Sequence, residues 1–229
     1  MTQEPPTSTI LRIGHRGACG HAPENTLASI EQAIVLRCAL TEVDIQRTSD
    51  DELVLLHDKR VDRTTNGRGC VADLTLPAIR MLDAGGGESP PTLDDVLKAA
   101  NGRIGLILEL KTGGSAYDVC AIVRGSGFNQ PVIYASFLQE ELQHVRRANP
   151  HAQTMILFTR LPANPGAAAA KLHATHVGLR LDTVTEPLVN ALRNDGLIVF
   201  AYTANQPAQI SKMKILGVDG IISDFPDLV

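Results

Sequence analysis

Tryptophan is missing from this 229-residue chain, and with five Phe and three Tyr the aromatic share is only 3%. A core must therefore be mostly aliphatic, at a length that can bury a sizeable one. Cysteine is scarce as well. The four residues Cys19, Cys38, Cys70 and Cys120 form no C-x-x-C pair and do not have the look of a disulfide framework. No apolar run approaches the roughly 20 residues needed to span a bilayer. The opening MTQEPPTST lacks the basic and apolar regions of a secretory signal, so a reduced, cytoplasmic enzyme or binding protein is expected. Basic runs are absent too, and a net charge of −4 argues against a general nucleic-acid binder. What remains, 44% hydrophobic and 20% charged, is an ordinary globular composition.

Within that composition the pattern is regular. Ile10 to Gly14 predicts a strand, ending in the cationic pair His15-Arg16 between glycines at 14, 17 and 20. Such glycines let backbone approach a ligand closely, and an Arg can grip phosphate oxygens bidentately. Apolar residues at helical spacing follow from Leu27 to Cys38, then a strictly alternating strand, Thr41 to Ile45, a polar turn, and an extended run from Leu53 to Leu56. Residues 58–92 are irregular, with one weak helical piece at Leu76 to Leu82, and read as an insertion. Beyond it, strands are expected at 104–110, 132–135, 155–158, 176–179, 198–201 and 220–222. Helices are expected at 93–100, 115–125, 138–148, 164–173, 185–194 and 206–216. Repeated strand–helix units imply parallel strands with right-handed crossovers. About eight strands, the number that closes a (β/α)8 TIM barrel, make that fold the expectation over an open doubly wound sheet. Residues 1–229 then form a single domain, with 58–92 a small insertion inside it.

Chemistry gathers at the predicted strand ends. Glu42 and Asp44 are two apart on a strand, so both point to one face. In a buried parallel strand that face is the barrel interior, where unpaired carboxylates are very costly unless a metal or a reaction uses them. Glu109 and Lys111 repeat the spacing in LILELK. If residues 41–57 fold as a hairpin centred between Asp50 and Asp51, Asp44 faces His57 with Cβ atoms roughly 5 Å apart. An all-oxygen set favours Mg²⁺ or Ca²⁺ over zinc, two histidines suggest an acid and a base, and Arg16 suggests an anionic group such as phosphate. Together these point to metal-assisted attack on a phosphate ester.

The same residues resemble a known family. HRG at 15–17, APENT at 22–26, E-x-D at 42–44, HD at 57–58, DRTTNG at 62–67, PTLDDVL at 91–97, LELK at 108–111 and GVDGIISDFPD at 217–227 match the glycerophosphodiester phosphodiesterases in order. The resemblance implies a (β/α)8 barrel that uses one divalent cation to hydrolyse small glycerophosphodiesters to glycerol 3-phosphate and an alcohol. It also implies Glu42, Asp44 and Glu109 as metal ligands, His15 and His57 as the acid–base pair, and Arg16 and Lys111 as the phosphate-binding cations. Attack by a substrate hydroxyl, giving a cyclic phosphate, and direct attack by water are both compatible with that set.

Two departures bear on substrate choice. Asp83-Ala84-Gly85 runs into GGGESPPTL without the aromatic stretch that relatives usually carry. Ala201-Tyr202-Thr203-Ala204-Asn205 stands where the family usually has a Trp, which leaves Tyr202 either as a substrate contact or as plain barrel packing. Cys19 is expected to be a small buried thiol rather than a nucleophile. His21, His144, His151, His173 and His176 are expected at the surface or at strand ends. The rival functions are a lysophospholipase D or sphingomyelinase D-like enzyme and a catalytically silent phosphate-binding relative.

Overall fold

In the computed structural model, residues 10–229 are described; the signal-free reading of MTQEPPTST falls outside them. The strands are β1 (Leu11–Gly14), β2 (Leu40–Arg47), β3 (Leu53–Leu55), β4 (Gly105–Leu110), β5 (Val132–Ser136), β6 (Gln153–Leu157), β7 (His176–Arg180), β8 (Ile198–Tyr202) and β9 (Gly220–Ser223). All but β3 run parallel, in the order β1-β9-β8-β7-β6-β5-β4-β2, and a further β1–β2 pairing closes the ring. The fold is the expected (β/α)8 barrel. Around it lie α1 (Leu27–Val35), α3 (Leu93–Ala100), α4 (Ala116–Gly125), α5 (Gln139–Ala148), α6 (Pro165–Lys171), α7 (Glu186–Asn194) and α8 (Pro207–Ile215), with the short α2 (Leu76–Arg80) in the insertion.

The two faces of each strand do different work. Val43, Ile45, Leu106 and Leu108 point outward and pack with Ile30, Val96 and Leu97 of α1 and α3. Ile13, Leu40, Ile107, Ile133, Met155, Phe200 and Ile222 point inward and fill the barrel. Such alternation, with both faces apolar, is why the strands read as near-continuous hydrophobic runs. Thr26 and Thr92 cap α1 and α3, each accepting from the backbone N–H three residues on. Gly102, Gly196 and Gly217 follow α3, α7 and α8 with φ of 73°, 80° and 76°, the left-handed geometry that ends a helix. Among the described residues no helix is long and apolar enough to cross a membrane. The four cysteines are free.

The β2–β3 hairpin departs from the expected register by one residue. Ile45 pairs with Leu55 and Arg47 with Leu53, which puts Leu56, not His57, opposite Asp44. The turn is the cause. Thr48 N–H donates to Glu52 O, leaving Ser49, Asp50 and Asp51 as a three-residue loop closed by Asp51 at φ 65°. His57 thus lies past the end of β3, where the chain is free to turn toward the barrel mouth. The insertion beyond it packs a core of its own from Val54, Leu56, Val61, Val71 and Ile79.

His176 begins β7, as a strand-end residue, but it is not a surface one. It is 3% exposed, its ring lies tilted against that of Phe200 with centres 5.1 Å apart, and it shares a 2.8 Å hydrogen bond with Thr175 Oγ1. Burial pushes its pKa down to about 4. Such a His is neutral in the fold yet protonates in the unfolded chain below about pH 6.5. Its contribution to stability is therefore intact above that pH and is progressively lost on acidification toward pH 4. By linkage the loss is roughly 2–3 kcal/mol. Chemical denaturation of the wild type and of His176→Gln at pH 7 and pH 4 checks this: the wild type should lose that much more stability than the variant. Equal losses would refute it.

Candidate active site

The C-terminal end of a parallel barrel is where strand-end side chains converge. Here β2 carries Glu42 and Asp44 inward, and β4 carries Glu109 and, just past its end, Lys111. Asp44 and Glu109 sit opposite each other in the register. All three carboxylates are buried, and each offers an oxygen within 4.8 Å of the other two. Lys111 Nζ lies 2.7 Å from Glu109 Oε1 and 3.3 Å from Asp44 Oδ1, with the Phe137 ring centre 6.0 Å away. Arg16 Nε is 3.3 Å from Asp44 Oδ2.

Asp44 is the most elaborately held of the three. Asn25, at φ 56°, donates its side-chain N–H to Asp44 Oδ2 at 2.9 Å, and Asp44 N–H donates to Asn25 Oδ1 at 3.0 Å. Burial works against ionising Asp44, but Lys111, Arg16, His57 and the Asn25 amide outweigh it and hold its carboxyl below the usual range. Glu42 has less support. Its Oε2 accepts the Arg16 backbone N–H at 3.0 Å, while Oε1 is buried without a partner. Burial first, then the carboxylates of Asp44 and Glu109, push its pKa well up. Glu109 is pushed up by burial and Asp44, with Lys111 in partial opposition. A buried oxygen lacking a partner, beside two more carboxylates, fits a hard divalent cation.

Each histidine is braced by a carboxylate. His15 Nδ1 lies 2.6 Å from Asp224 Oδ1, and its Nε2 lies 4.0 Å from Glu42 Oε2. Asp224 in turn accepts from Asn205 Nδ2 at 2.6 Å. His57 Nδ1 lies 2.6 Å from Asp58 Oδ1, and the ring is near enough to Asp44 and Glu109 to favour their charged forms. Sequence reasoning missed Asp224 and Asp58 as partners, although both lie inside quoted motifs, SDFPD and HD. It also missed a clamp. Arg63 in the insertion donates Nε to Asp58 Oδ2 at 2.7 Å, and donates Nη1 and Nη2 to the two Glu24 oxygens at 2.8 Å each. Glu24 Oε1 also accepts from Arg16 Nη1 at 2.9 Å. One guanidinium therefore ties the braces of His57 and Arg16 together.

The glycines of the first loop serve the protein itself rather than a ligand. A Cβ on Gly17, at φ 85°, would meet Ser29 Oγ at 2.1 Å; one on Gly20 would meet the Phe225 ring at 2.4 Å. The loop needs them to nest against α1 and the chain after β9. Cys19 donates to Asp224 at 3.1 Å, and burial followed by that carboxylate push its thiol far up, away from a nucleophilic thiolate. Beside the acidic cluster lies a small cavity, with room for about one water, lined by His15, Glu42, Glu109, Phe137, Leu157 and Tyr202 among others. The Tyr202 hydroxyl is buried with no partner.

The sequence model of the glycerophosphoryl diester phosphodiesterase family matches residues 15–228. A glycerophosphodiester phosphodiesterase of Caldanaerobacter subterraneus is 33% identical, with 95% of each chain covered. Among solved structures, a glycerophosphodiester phosphodiesterase from Agrobacterium tumefaciens superposes with a TM-score of 0.86 at 31% identity, covering 96% of this chain and 98% of its own. A phosphodiesterase of Oleispira antarctica, solved with its product sn-glycerol-3-phosphate, superposes at 0.88 with 27% identity, covering 94% and 93%.

The carboxylate cluster makes a measurable demand. In chelator-treated protein, Glu42→Gln removes a carboxyl that folding makes hard to ionise, and it should raise stability by about 1–3 kcal/mol at pH 8. A carboxyl whose pKa is raised by folding disfavours the fold as pH climbs, so the gain should shrink toward pH 5. Denaturant melts at the two pH values test it, and a destabilised variant at pH 8 would contradict it.

Proposed function

Since this chain belongs to the glycerophosphoryl diester phosphodiesterase family, we propose that it hydrolyses small glycerophosphodiesters to glycerol 3-phosphate and an alcohol, as a metal-dependent enzyme with histidine acid–base catalysis. The observation that carries the finer reading is Glu42 Oε1, a buried carboxylate oxygen without a protein partner inside a three-carboxylate cluster. Residues 1–229 act as one catalytic unit in this reading, with the 58–92 insertion supplying the support of His57.

Glu42, Asp44 and Glu109 would hold one divalent cation, Mg²⁺ or Ca²⁺. When bound, that ion polarises the phosphoryl group and offsets charge gathering on its oxygens. Lys111 and Arg16 add positive charge from the protein, and burial keeps both effective because the local dielectric is low. Around Arg16 three carboxylates outweigh the cost of burial and raise its pKa, so it stays charged throughout the working range. Lys111 is raised likewise, Asp44 and Glu109 outweighing burial.

The histidines handle protons. With a carboxylate on Nδ1, the neutral ring of His15 or His57 keeps its proton there, and Nε2 is the bare nitrogen that accepts one. The carboxylate then stabilises the imidazolium, as in other His–Asp pairs. One histidine takes the proton of the attacking hydroxyl, from water or from the substrate glycerol. The other, starting protonated, gives its proton to the departing alcohol oxygen. Arg63 contributes at one remove, fixing Asp58 and Glu24 and so the orientation of His57 and Arg16.

Glycerophosphocholine tests the reaction. The enzyme should release glycerol 3-phosphate and choline, stop in EDTA and recover on adding Mg²⁺ or Ca²⁺. His15→Ala and His57→Ala should each lower kcat by about 10²–10⁴-fold. Activity that survives EDTA, or survives His15→Ala, overturns the mechanism. Arg63→Ala should lower kcat by about tenfold or more with a smaller change in KM, because it loosens the catalytic set without touching substrate. A change confined to KM would remove that role.

A further inference from the structure

Asn205 lies just past the end of β8, and Asp224 directly follows β9. The two strands are neighbours in the barrel, and Ala204 N–H donates to Ile222 O at 3.1 Å, so both segments leave the rim side by side. There Asn205 grips residue 224 by backbone and side chain together. Its Oδ1 accepts the Asp224 backbone N–H at 2.9 Å and the Ser223 hydroxyl at 3.2 Å, and its Nδ2 donates to Asp224 Oδ2 at 2.6 Å. A backbone N–H can only donate, so it fixes which end of the amide is oxygen and leaves the nitrogen for the carboxylate. Asn205 is itself anchored to α8, where Gln209 Oε1 accepts the N–H of Asn205 at 3.0 Å and of Gln206 at 3.1 Å.

The carboxylate of Asp224 needs that grip. Its Oδ1 faces His15 Nδ1 at 2.6 Å and accepts from Cys19 Sγ at 3.1 Å, while Asn205 holds the other oxygen. The terminal torsion of an Asp side chain is broad and two-fold, so partners on both oxygens are what fix its plane. Burial works against ionising Asp224, but His15, the Cys19 thiol and the Asn205 amide outweigh it and hold its carboxyl below the usual range. His15 lines the small cavity beside the acidic cluster, whereas Asn205 does not. Whatever Asn205 does for the mouth, it does through Asp224.

We propose that Asn205 is a positioning residue for His15: by donating to Asp224 Oδ2 it turns Oδ1 onto Nδ1, which keeps the ring's proton there and leaves Nε2 facing the acidic cluster. That Nε2 lies 4.0 Å from Glu42 Oε2. The inference rests on the diesterase reading, in which His15 moves a proton, and adds the residue that sets which nitrogen moves it. The donor at position 205 also decides what an amide at 224 would do. In Asp224→Asn, the Asn205 N–H draws the new side-chain oxygen to itself and turns the new NH2 toward His15 Nδ1. An NH2 there disfavours a proton on Nδ1 and selects the wrong tautomer. Adding Asn205→Asp reverses the preference, because a carboxylate at 205 accepts from that NH2 and returns the oxygen to His15.

Asn205→Asp, alone and combined with Asp224→Asn, is the test. Glycerol 3-phosphate release from glycerophosphocholine with Mg²⁺ or Ca²⁺ gives kcat and KM, normalised to folded protein by circular dichroism. The substitution keeps an oxygen for Ser223 and for the Asp224 backbone and exchanges only the donor for an acceptor. In the wild-type background it should lower kcat by about ten- to a hundredfold, with KM changed by less than about twofold. In Asp224→Asn it should act in the opposite direction and raise kcat by about tenfold, as the tautomer is restored. A loss of kcat in both backgrounds, or no loss in the wild type, overturns the positioning role while product release by the wild type keeps the diesterase reading intact. Should Asn205→Asp alone unfold, the comparison within Asp224→Asn decides by itself. If the wild type releases no glycerol 3-phosphate, the diesterase reading fails and the positioning role fails with it.

Discussion

Everything at the barrel mouth turns on placing three carboxylates in a space that excludes water. Left alone they would repel one another and lose their hydration, at a cost of several kcal/mol per ion. Asp44 is kept charged by Lys111, Arg16 and the two Asn25 bonds, while Glu42 and Glu109 are forced toward their protonated forms. That unequal treatment explains the surrounding sequence. Asn25 must adopt a left-handed backbone to face Asp44, Glu24 must engage Arg16, and the first loop must fold back on α1 to bring both within reach. The same arrangement is unsatisfied in one respect, the bare oxygen of Glu42, and that deficit is what a hard cation would fill.

The fold was largely legible because the barrel repeats one physical unit. A run of inward and outward apolar residues, a polar break, a capped amphipathic helix and a glycine stop recur along the chain, and each copy supports the assignment of the others. The hairpin was less legible. Its polar turn, Ser49-Asp50-Asp51-Glu52, admits a two-residue or a three-residue loop, and only Asp51 in a left-handed conformation decides between them. A single residue of slip put Leu56 rather than His57 opposite Asp44, which the alternation pattern could not foresee.

At the site, what could be read from sequence was whatever lay on one strand. Glu42 with Asp44 and Glu109 with Lys111 share a face by simple alternation. Pairs that join distant segments were invisible: Asp224 bracing His15 across 209 residues, and Arg63 bridging Glu24 and Asp58 across 39 and 5. Nothing in local spacing marks such partners. The glycines misled for the opposite reason. Their freedom suggested room for phosphate, whereas Ser29 and Phe225 occupy that room.

The first strand finds its neighbours at both extremes of the sequence, β2 just after it and β9 more than two hundred residues on. A polypeptide emerging from the ribosome thus exposes His15, Arg16 and the acidic residues long before Asp224 arrives to brace the first of them. Because Asp224 directly follows Ser223, the strand that closes the ring also delivers the carboxylate that braces His15. The barrel and that brace are therefore complete only once β9 has been made, although His15, Glu42, Asp44 and Glu109 are present in the chain long before.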